Sequence, residues 1–270
     1  MLPTSIDTAL AAAHDLGAEH AAAAAVVPSG LFATTGDDGR RFRWASVTKL
    51  VTATAVLCAA DDGTVDFDEP AGPPGATVRH LLAHASGLPF EGREPIAAPA
   101  TTRIYSNAGF DLLGELLAER RRRPTADVIA TSVLNPLGMA DTQLEGRPSE
   151  GLVGPLRDLV ALARQFLRPT LLAAATFEAA TSVAFAGLRG ILPGFGLHDP
   201  LDSGLQAARR QAAALDGQPQ LSGDVRPLRG NGVVPVGRSG RRLRPGGPDR
   251  SALGAMGDRR LARPVGCGAR

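Results

Sequence analysis

The alternation of apolar and polar positions near the start of the chain predicts strands that lead to a single serine. Residues 21–27 and 31–35 are apolar runs typical of strands. Gly36-Asp37-Asp38-Gly39 has the composition of a hairpin turn, and residues 41–45 return with alternating polar and apolar side chains. We therefore expect a two-stranded element that ends at Ser46.

Helical periodicity dominates the chain after this serine. The apolar run from Ser46 to Asp61 predicts a helix, which Asp62-Gly63 ends. A strongly amphipathic helix is predicted to begin at Tyr105-Ser106-Asn107. Further helices are predicted at residues 78–85, 128–134, 156–167 and 170–185.

The composition changes after Asp202. No Phe, Trp or Tyr follows Phe195, and residues 203–270 contain 13 Arg and 13 Gly against four acidic residues. Such a segment lacks the large apolar side chains that offset the entropy lost on ordering. We predict a domain at residues 1–202 and a basic Gly/Arg/Pro-rich segment at residues 203–270 that is disordered and lacks strands.

Two origins are open for this segment, a basic tail that binds anions and a shifted reading frame. GC-rich DNA read in the wrong frame yields Ala, Arg, Gly and Pro. A shift of one nucleotide permits a reading of residues 213–229 that ends in His-Phe-Gly, followed by Ala-Thr-Gly-Ser-Phe-Leu-Trp-Val-Asp-Pro. Because the second string alternates like a strand, we favour the shifted frame.

Composition and charge narrow the class of protein. The chain has 270 residues, 44% of them hydrophobic, and a formal net charge of +2, which suits a globular protein and argues against a nucleic-acid partner. The two cysteines give no disulfide framework. No apolar run reaches membrane-spanning length, and residues 1–25 have no basic n-region. We expect a cytoplasmic protein that acts on a small molecule, without membrane association or cofactor.

Ser46 and Lys49 are the leading candidates for chemistry. A serine at a strand-to-helix junction lies where unpaired N–H groups and the helix dipole favour an oxyanion. Lys49 follows one helical turn later, so Ser-x-x-Lys pairs a nucleophile with a base. The motif is short and occurs by chance, but Lys49 is the only lysine and Tyr105 the only tyrosine. Lysine can lose its proton under ordinary conditions, whereas arginine cannot.

His80 and His84 have the spacing of metal ligands on a helix. No third ligand stands at a recognisable spacing, so we favour structural hydrogen bonds for both and predict no metal site.

With these motifs placed, the chain resembles the serine β-lactamase-like family, which includes class C β-lactamases, DD-peptidases and related esterases. The resemblance covers roughly residues 5–202. It rests on Ser46-Val47-Thr48-Lys49, Tyr105-Ser106-Asn107, residues 81–89, residues 135–139 and residues 192–197.

The resemblance implies an α+β fold, in which a mainly antiparallel sheet is flanked by helices and carries a helical subdomain. It implies that Ser46 is acylated, that Lys49 is its base and that Tyr105 shares the proton transfers. Asn107 would hydrogen-bond the substrate and hold Lys49, and the Ser46 N–H would form half of the oxyanion hole.

One family motif has no counterpart. The third motif, Lys-Thr-Gly or His-x-Gly, lies on a late strand that also supplies the second oxyanion N–H, and the shifted frame restores His-Phe-Gly there. We therefore expect late strands that are missing or garbled. The function expected is a serine acyl hydrolase acting on an ester, amide or β-lactam, with impaired activity. The alternatives are a non-catalytic remnant or acyl-binding protein and, least favoured, a basic-tailed nucleic-acid binder.

Overall fold

The structure of this protein is a computed structural model that describes residues 10–11, 18–27, 32–192, 195–202 and 232–236. Its strands are β1 (Ala22–Val26), β2 (Phe32–Thr35), β3 (Arg41–Arg43), β4 (Arg103–Ile104), β5 (Gln143–Leu144), β6 (Leu152–Pro155), β7 (Gly190–Leu192), β8 (Gly196–His198) and β9 (Gly232–Val236). Its α-helices are α1 (Thr48–Asp61), α2 (Val78–Leu82), α3 (Asn107–Arg121), α4 (Thr125–Ile129), α5 (Leu156–Leu167) and α6 (Ala174–Thr181), and a π-helical segment, Ala130–Leu134, follows α4.

The described strands form three small sheets, in the orders β2-β1-β9, β3-β6-β5 and β4-β7-β8. All pairings are antiparallel except that of β4 with β7. Helices pack against these sheets, so the α+β fold that the family resemblance implied is confirmed.

The predicted hairpin between β2 and β3 is wrong. β2 pairs with β1, whereas β3 pairs with β6 in a different sheet, with Phe42 opposite Gly154. The Asp37 carboxylate accepts hydrogen bonds from the Gly39 and Arg40 N–H groups, so the turn closes on itself locally. Turn composition alone does not fix which strands pair, because the pairing of β3 depends on residues more than 100 positions away.

Helix α1 is the centre of the core. Its small and branched apolar side chains are buried on all sides, among them Val51, Ala53 and Val56. A helix that is apolar all round must be enclosed by other elements, and α1 contacts α3, α4 and α6. Ser46 therefore lies directly before the helix that is enclosed by the core.

Strand β1 consists of four alanines and a valine, and all five side chains are buried. Ala22, Ala24 and Val26 face the main core, whereas Ala23 and Ala25 pack against Leu10. Because both faces are covered, the strand is apolar throughout rather than alternating.

The buried Arg103 joins three chain segments near the site. Its guanidinium donates hydrogen bonds to the carbonyls of Ala83, Ala184 and Leu201, the last from Nε at 2.6 Å. Burial lowers the pKa of Arg103, and Asp202 acts in the opposite direction. These bonds satisfy a charge that would otherwise be costly to bury, and they fix β4 beside the segment that ends at Asp202.

Helix boundaries differ from the sequence prediction at several places. The helix predicted at residues 156–167 is confirmed as α5, whereas that predicted at residues 170–185 shortens to α6, Ala174–Thr181. The Asp61 carboxylate of α1 accepts hydrogen bonds from Ala173 N and Thr176 Oγ1 at the start of α6. A cap supplied by another helix is invisible to local sequence rules.

Most of the basic segment at residues 203–270 lies outside the described residues. Within it, Gly232–Val236 form β9, antiparallel to β1 with Val234 opposite Ala24. The expectation that this segment lacks strands is therefore wrong at these five positions. The domain boundary predicted near residue 202 stays a prediction.

Candidate active site

Ser46 lies at the surface on a short 3₁₀ turn, Ala45–Val47, between β3 and α1. Ala45 before it adopts a left-handed backbone conformation, with φ of 45°. Such a conformation is strained for a residue with a Cβ atom and is concentrated at functional sites. The buried Trp44 anchors the turn, because its indole N–H donates to the Gly154 carbonyl at 3.0 Å.

Lys49 lies beneath Ser46 with 4% of its surface exposed. Its ammonium nitrogen is 3.4 Å from Ser46 Oγ, 2.5 Å from Asn107 Oδ1 and 2.9 Å from the Ser149 carbonyl oxygen. An ammonium group has three donors and no acceptor. Each of the three N–H donors of Lys49 therefore has an acceptor, and one of these acceptors is the serine hydroxyl.

The pKa of Lys49 falls from 10.5 to about 8. Burial is the largest cause, because it penalises the charged form. The carboxylates of Glu150, Asp111 and Glu91 act against this and raise the pKa, whereas Arg147 lowers it. The lysine is thus able to release its proton near neutral pH, as a base requires.

Buried polar residues of α1 attach the helix to the loop before β6. Thr48 Oγ1 accepts a hydrogen bond from Leu152 N at 3.0 Å, and Thr52 Oγ1 donates to the Pro148 carbonyl at 2.6 Å. Together with the bond from Lys49 to Ser149, these contacts place the loop carbonyl on the ammonium group.

Tyr105 lies beside Lys49. The lysine nitrogen is 4.8 Å from the centroid of the Tyr105 ring, a distance that permits a cation–π interaction. The ring stacks on His84, with centroids 4.5 Å apart, and is 6.2 Å from the exposed Phe90 ring. The predicted residues Ser46, Lys49, Tyr105 and Asn107 are therefore brought together, although their roles stay predictions.

His84 fixes the approach to Tyr105. Its Nδ1 accepts a hydrogen bond from Ser106 N at 3.0 Å, and its backbone carbonyl accepts one from Ile104 N at 2.8 Å. Burial, with the charges of Lys49 and Arg103, lowers the pKa of His84 to about 3. A neutral ring keeps Nδ1 free to accept.

His80 is also engaged in a backbone contact. Its Nδ1 accepts a hydrogen bond from Thr77 N at 3.2 Å as part of the capping box of α2. Both histidines therefore make structural hydrogen bonds, the role that we favoured for them. Among the described residues, no group of three His, Cys, Asp or Glu side chains could hold a metal ion.

Asn107 opens α3 and is buried. Ser106 caps the helix, since its Oγ accepts from Gly109 N at 3.0 Å and donates to the Pro89 carbonyl at 2.6 Å. The Phe90 carbonyl accepts from Asn107 N at 2.9 Å. The start of α3 is therefore clamped to the loop that carries Phe90.

Sequence reasoning missed Glu91, Arg147 and Ser149. Glu91 accepts a hydrogen bond from Asn107 Nδ2 at 2.7 Å, and Arg147 donates to Glu91 at 2.8 Å. All three lie in loops without periodicity or motif, so the sequence carries no signal that would single them out.

None of the described helices is long and apolar enough to cross a bilayer.

An exposed serine lies beside a desolvated lysine on an α+β fold of helices around small, mainly antiparallel sheets, which is the arrangement that the family resemblance implied. The model of the family described as Beta-lactamase matches residues 17–203. The chain therefore belongs to the Beta-lactamase family, whose members include serine acyl hydrolases.

Similar proteins agree with this placement. A solved β-lactamase from Mycobacterium bovis is 36% identical with a TM-score of 0.77, over 85% of this chain and 91% of that one. A β-lactamase/D-alanine carboxypeptidase from Yersinia pestis, 22% identical with a TM-score of 0.57 over 71% of this chain and 76% of that one, shares the fold.

Two curated relatives match a smaller part of the chain. The D-alanyl-D-alanine-carboxypeptidase/endopeptidase AmpH of Escherichia coli is 30% identical over 40% of this chain and 38% of its own length. Penicillin-binding protein 4* of Bacillus subtilis is 28% identical over 39% of this chain and 31% of its own. The matches thus span less than two fifths of these relatives.

Proposed function

We propose that this protein is a serine acyl hydrolase in which Ser46 forms the acyl-enzyme and Lys49 is the general base. The observation that carries the proposal is the sole lysine of the chain, buried and 3.4 Å from an exposed serine hydroxyl. Burial of a positioned lysine lowers its pKa into the range where its neutral form is a useful base.

In acylation, neutral Lys49 takes the proton of Ser46 Oγ while the oxygen bonds to the substrate carbonyl carbon. The tetrahedral intermediate then expels the leaving group, which must receive a proton as its bond to carbon breaks. In this proposal Tyr105, whose ring centroid lies 4.8 Å from the Lys49 nitrogen, carries that proton from the lysine to the leaving group. Deacylation reverses the path with water as the nucleophile.

Two other serines near the site are poor alternatives as nucleophiles. Ser86 and Ser106 are 2% and 1% exposed. The Ser86 hydroxyl accepts from Leu88 N, and that of Ser106 is occupied in capping α3. Ser46 combines exposure with a lysine partner.

The substrate class proposed is an activated small acyl compound, an ester, an amide or a β-lactam. The names of the similar proteins refer to D-alanyl peptides and β-lactams, and the choice among these depends on pocket loops rather than on the fold. Action on a small molecule, in the cytoplasm and without a nucleic-acid partner, belongs to the same proposal.

The proposal predicts a specific pH dependence. With Lys49 as base, only its neutral form is active. The value of kcat/KM for a p-nitrophenyl ester should therefore rise with pH to a plateau, and the midpoint of the rise should lie near 8, the pKa of Lys49. Well below the midpoint, the rate should fall roughly tenfold per pH unit. Steady-state hydrolysis across this range measures it.

The Ser46→Ala variant is the control, because it removes the nucleophile and leaves Lys49 in place. Its hydrolysis measures the background to be subtracted. A flat profile, or equal rates in Ser46→Ala and the unaltered chain, would contradict the proposal and favour an acyl-binding protein without turnover.

A further inference from the structure

The ammonium group of Lys49 is part of a closed ring of hydrogen bonds that extends to the surface. Lys49 donates to Asn107 and to the Ser149 carbonyl; Asn107 donates to Glu91; Arg147 donates to Glu91 and Asp111; and Ser149 N donates to Asp111. The distances run from 2.5 Å between Lys49 and Asn107 to 3.2 Å between Ser149 and Asp111. The ring joins α1, α3 and two loops.

Glu91 and Lys49 favour the same orientation of the Asn107 amide. The Asn107 NH₂ group points at Glu91 Oε1, 2.7 Å away, and its carbonyl oxygen points at Lys49. A flipped amide would place donors against an ammonium group that can only donate and an oxygen against a carboxylate that can only accept. The carboxylate therefore supports the orientation in which the amide oxygen accepts from the lysine.

Arg147 holds both acidic members of the ring. Its guanidinium lies 2.8 Å from Glu91 and 2.8 Å from Asp111. Asp111 in turn accepts from Ser149 N, the residue whose carbonyl contacts Lys49. The Glu91 and Arg147 side chains are 48% and 44% exposed, so solvent weakens the pair. We therefore base their role on the orientation of their hydrogen bonds and not on the energy of the ion pair.

We propose that Glu91 and Arg147 are positioning residues which fix the Asn107 oxygen and the Ser149 carbonyl on Lys49. Glu91 contacts Asn107, and Arg147 reaches Ser149 through Asp111, so both act through residues that contact the lysine. The effect of Glu91 and Arg147 on the reaction rate rests on the proposed function, whereas their effect on the pKa of Lys49 does not.

The sole lysine makes a direct test possible. Lysine labelled with ¹³C at Cε gives one side-chain NMR signal in this chain, and its titration reports the pKa of Lys49. Glu91→Gln removes a carboxylate that raises this pKa and should lower it, whereas Arg147→Gln removes a cation that lowers it and should raise it. The other charged groups around the lysine, Asp111 and Glu150, are unchanged.

Glu94→Gln is the matched control, because Glu94 is exposed in the same loop and the substitution changes the net charge equally. It should leave the Lys49 titration unchanged. In a second assay the alanine variants of Glu91 and Glu94 are treated with a fluorophosphonate, and the rate of Ser46 labelling is measured. Glu91→Ala should label about tenfold more slowly, the change in rate if a hydrogen bond of about 1.4 kcal/mol is lost in the transition state, while Glu94→Ala labels normally.

Opposite shifts in Glu91→Gln and Arg147→Gln, with no shift in Glu94→Gln, show that both charges act on Lys49, and slower labelling of Glu91→Ala than of Glu94→Ala supports the positioning role. Titrations that coincide in all three variants and the unaltered chain overturn it, as do shifts of the same sign in the two ring variants. If the unaltered chain fails to react with the fluorophosphonate, the proposed function is wrong, and the titrations alone decide whether Glu91 and Arg147 act on the lysine.

Discussion

Replacing Lys49 with arginine should lower the rate of Ser46 acylation by about 10²–10⁴-fold, the range lost when a general base is removed. Arginine keeps the positive charge and can reach the Asn107 oxygen, but it does not give up its proton. The measurement is the second-order rate constant for labelling by a fluorophosphonate. The reaction of Ser46 requires a base, and a positive charge at the same place does not replace that base.

Two controls separate loss of the base from loss of structure. The single tryptophan, Trp44, is buried two residues before Ser46 and bonded to Gly154, so its fluorescence reports the fold around the site. Lys49→Arg should keep the Trp44 emission and the thermal midpoint close to those of the unaltered chain. A folded Lys49→Arg protein that labels at a near-normal rate would rule out Lys49 as the base.

Restoring the reading frame after residue 202 should raise ester hydrolysis by about 10²–10³-fold, the effect of one oxyanion-hole donor. The resemblance implies that a late strand supplies the second donor, and the shifted reading contains His-Phe-Gly at the corresponding place. The experiment inserts or deletes one nucleotide near the Asp202 codon and compares p-nitrophenyl ester hydrolysis of the two proteins.

Ser46→Ala in the restored protein is the control and should abolish the gain. Equal rates in the restored and unaltered proteins would show that residues 203–270 contribute nothing to the site. The expectation of impaired activity would then be wrong.

The nearness of Ser46 and Lys49 could be predicted from the sequence because it depends on local spacing. Ser46 and Lys49 are separated by one turn, so the helical geometry alone brings the two groups within 3.4 Å. Tyr105 and Asn107 were found through a motif shared with a family rather than through any physical pattern. Their nearness to Lys49 depends on the packing of α3 against α1.

The features that sequence reasoning missed depend on contacts between distant segments. The partner of β3 is β6, and the cap of α6 is Asp61 at the end of α1. The ring residues Glu91 and Arg147 lie in loops that are 56 positions apart and meet only in the folded protein. Local propensity carries no information about such pairs.

The central claim, that Ser46 is acylated, is tested most directly by mapping the adduct of a fluorophosphonate. Trypsin cleaves after Arg43 and Lys49, so Ser46 falls in the short peptide of residues 44–49, apart from the peptides that carry Ser86 and Ser106. The account predicts that mass spectrometry finds the adduct in that peptide and that fragmentation places it on Ser46 rather than Thr48. An adduct on Ser86 or Ser106, or the same labelling in Ser46→Ala, would contradict it.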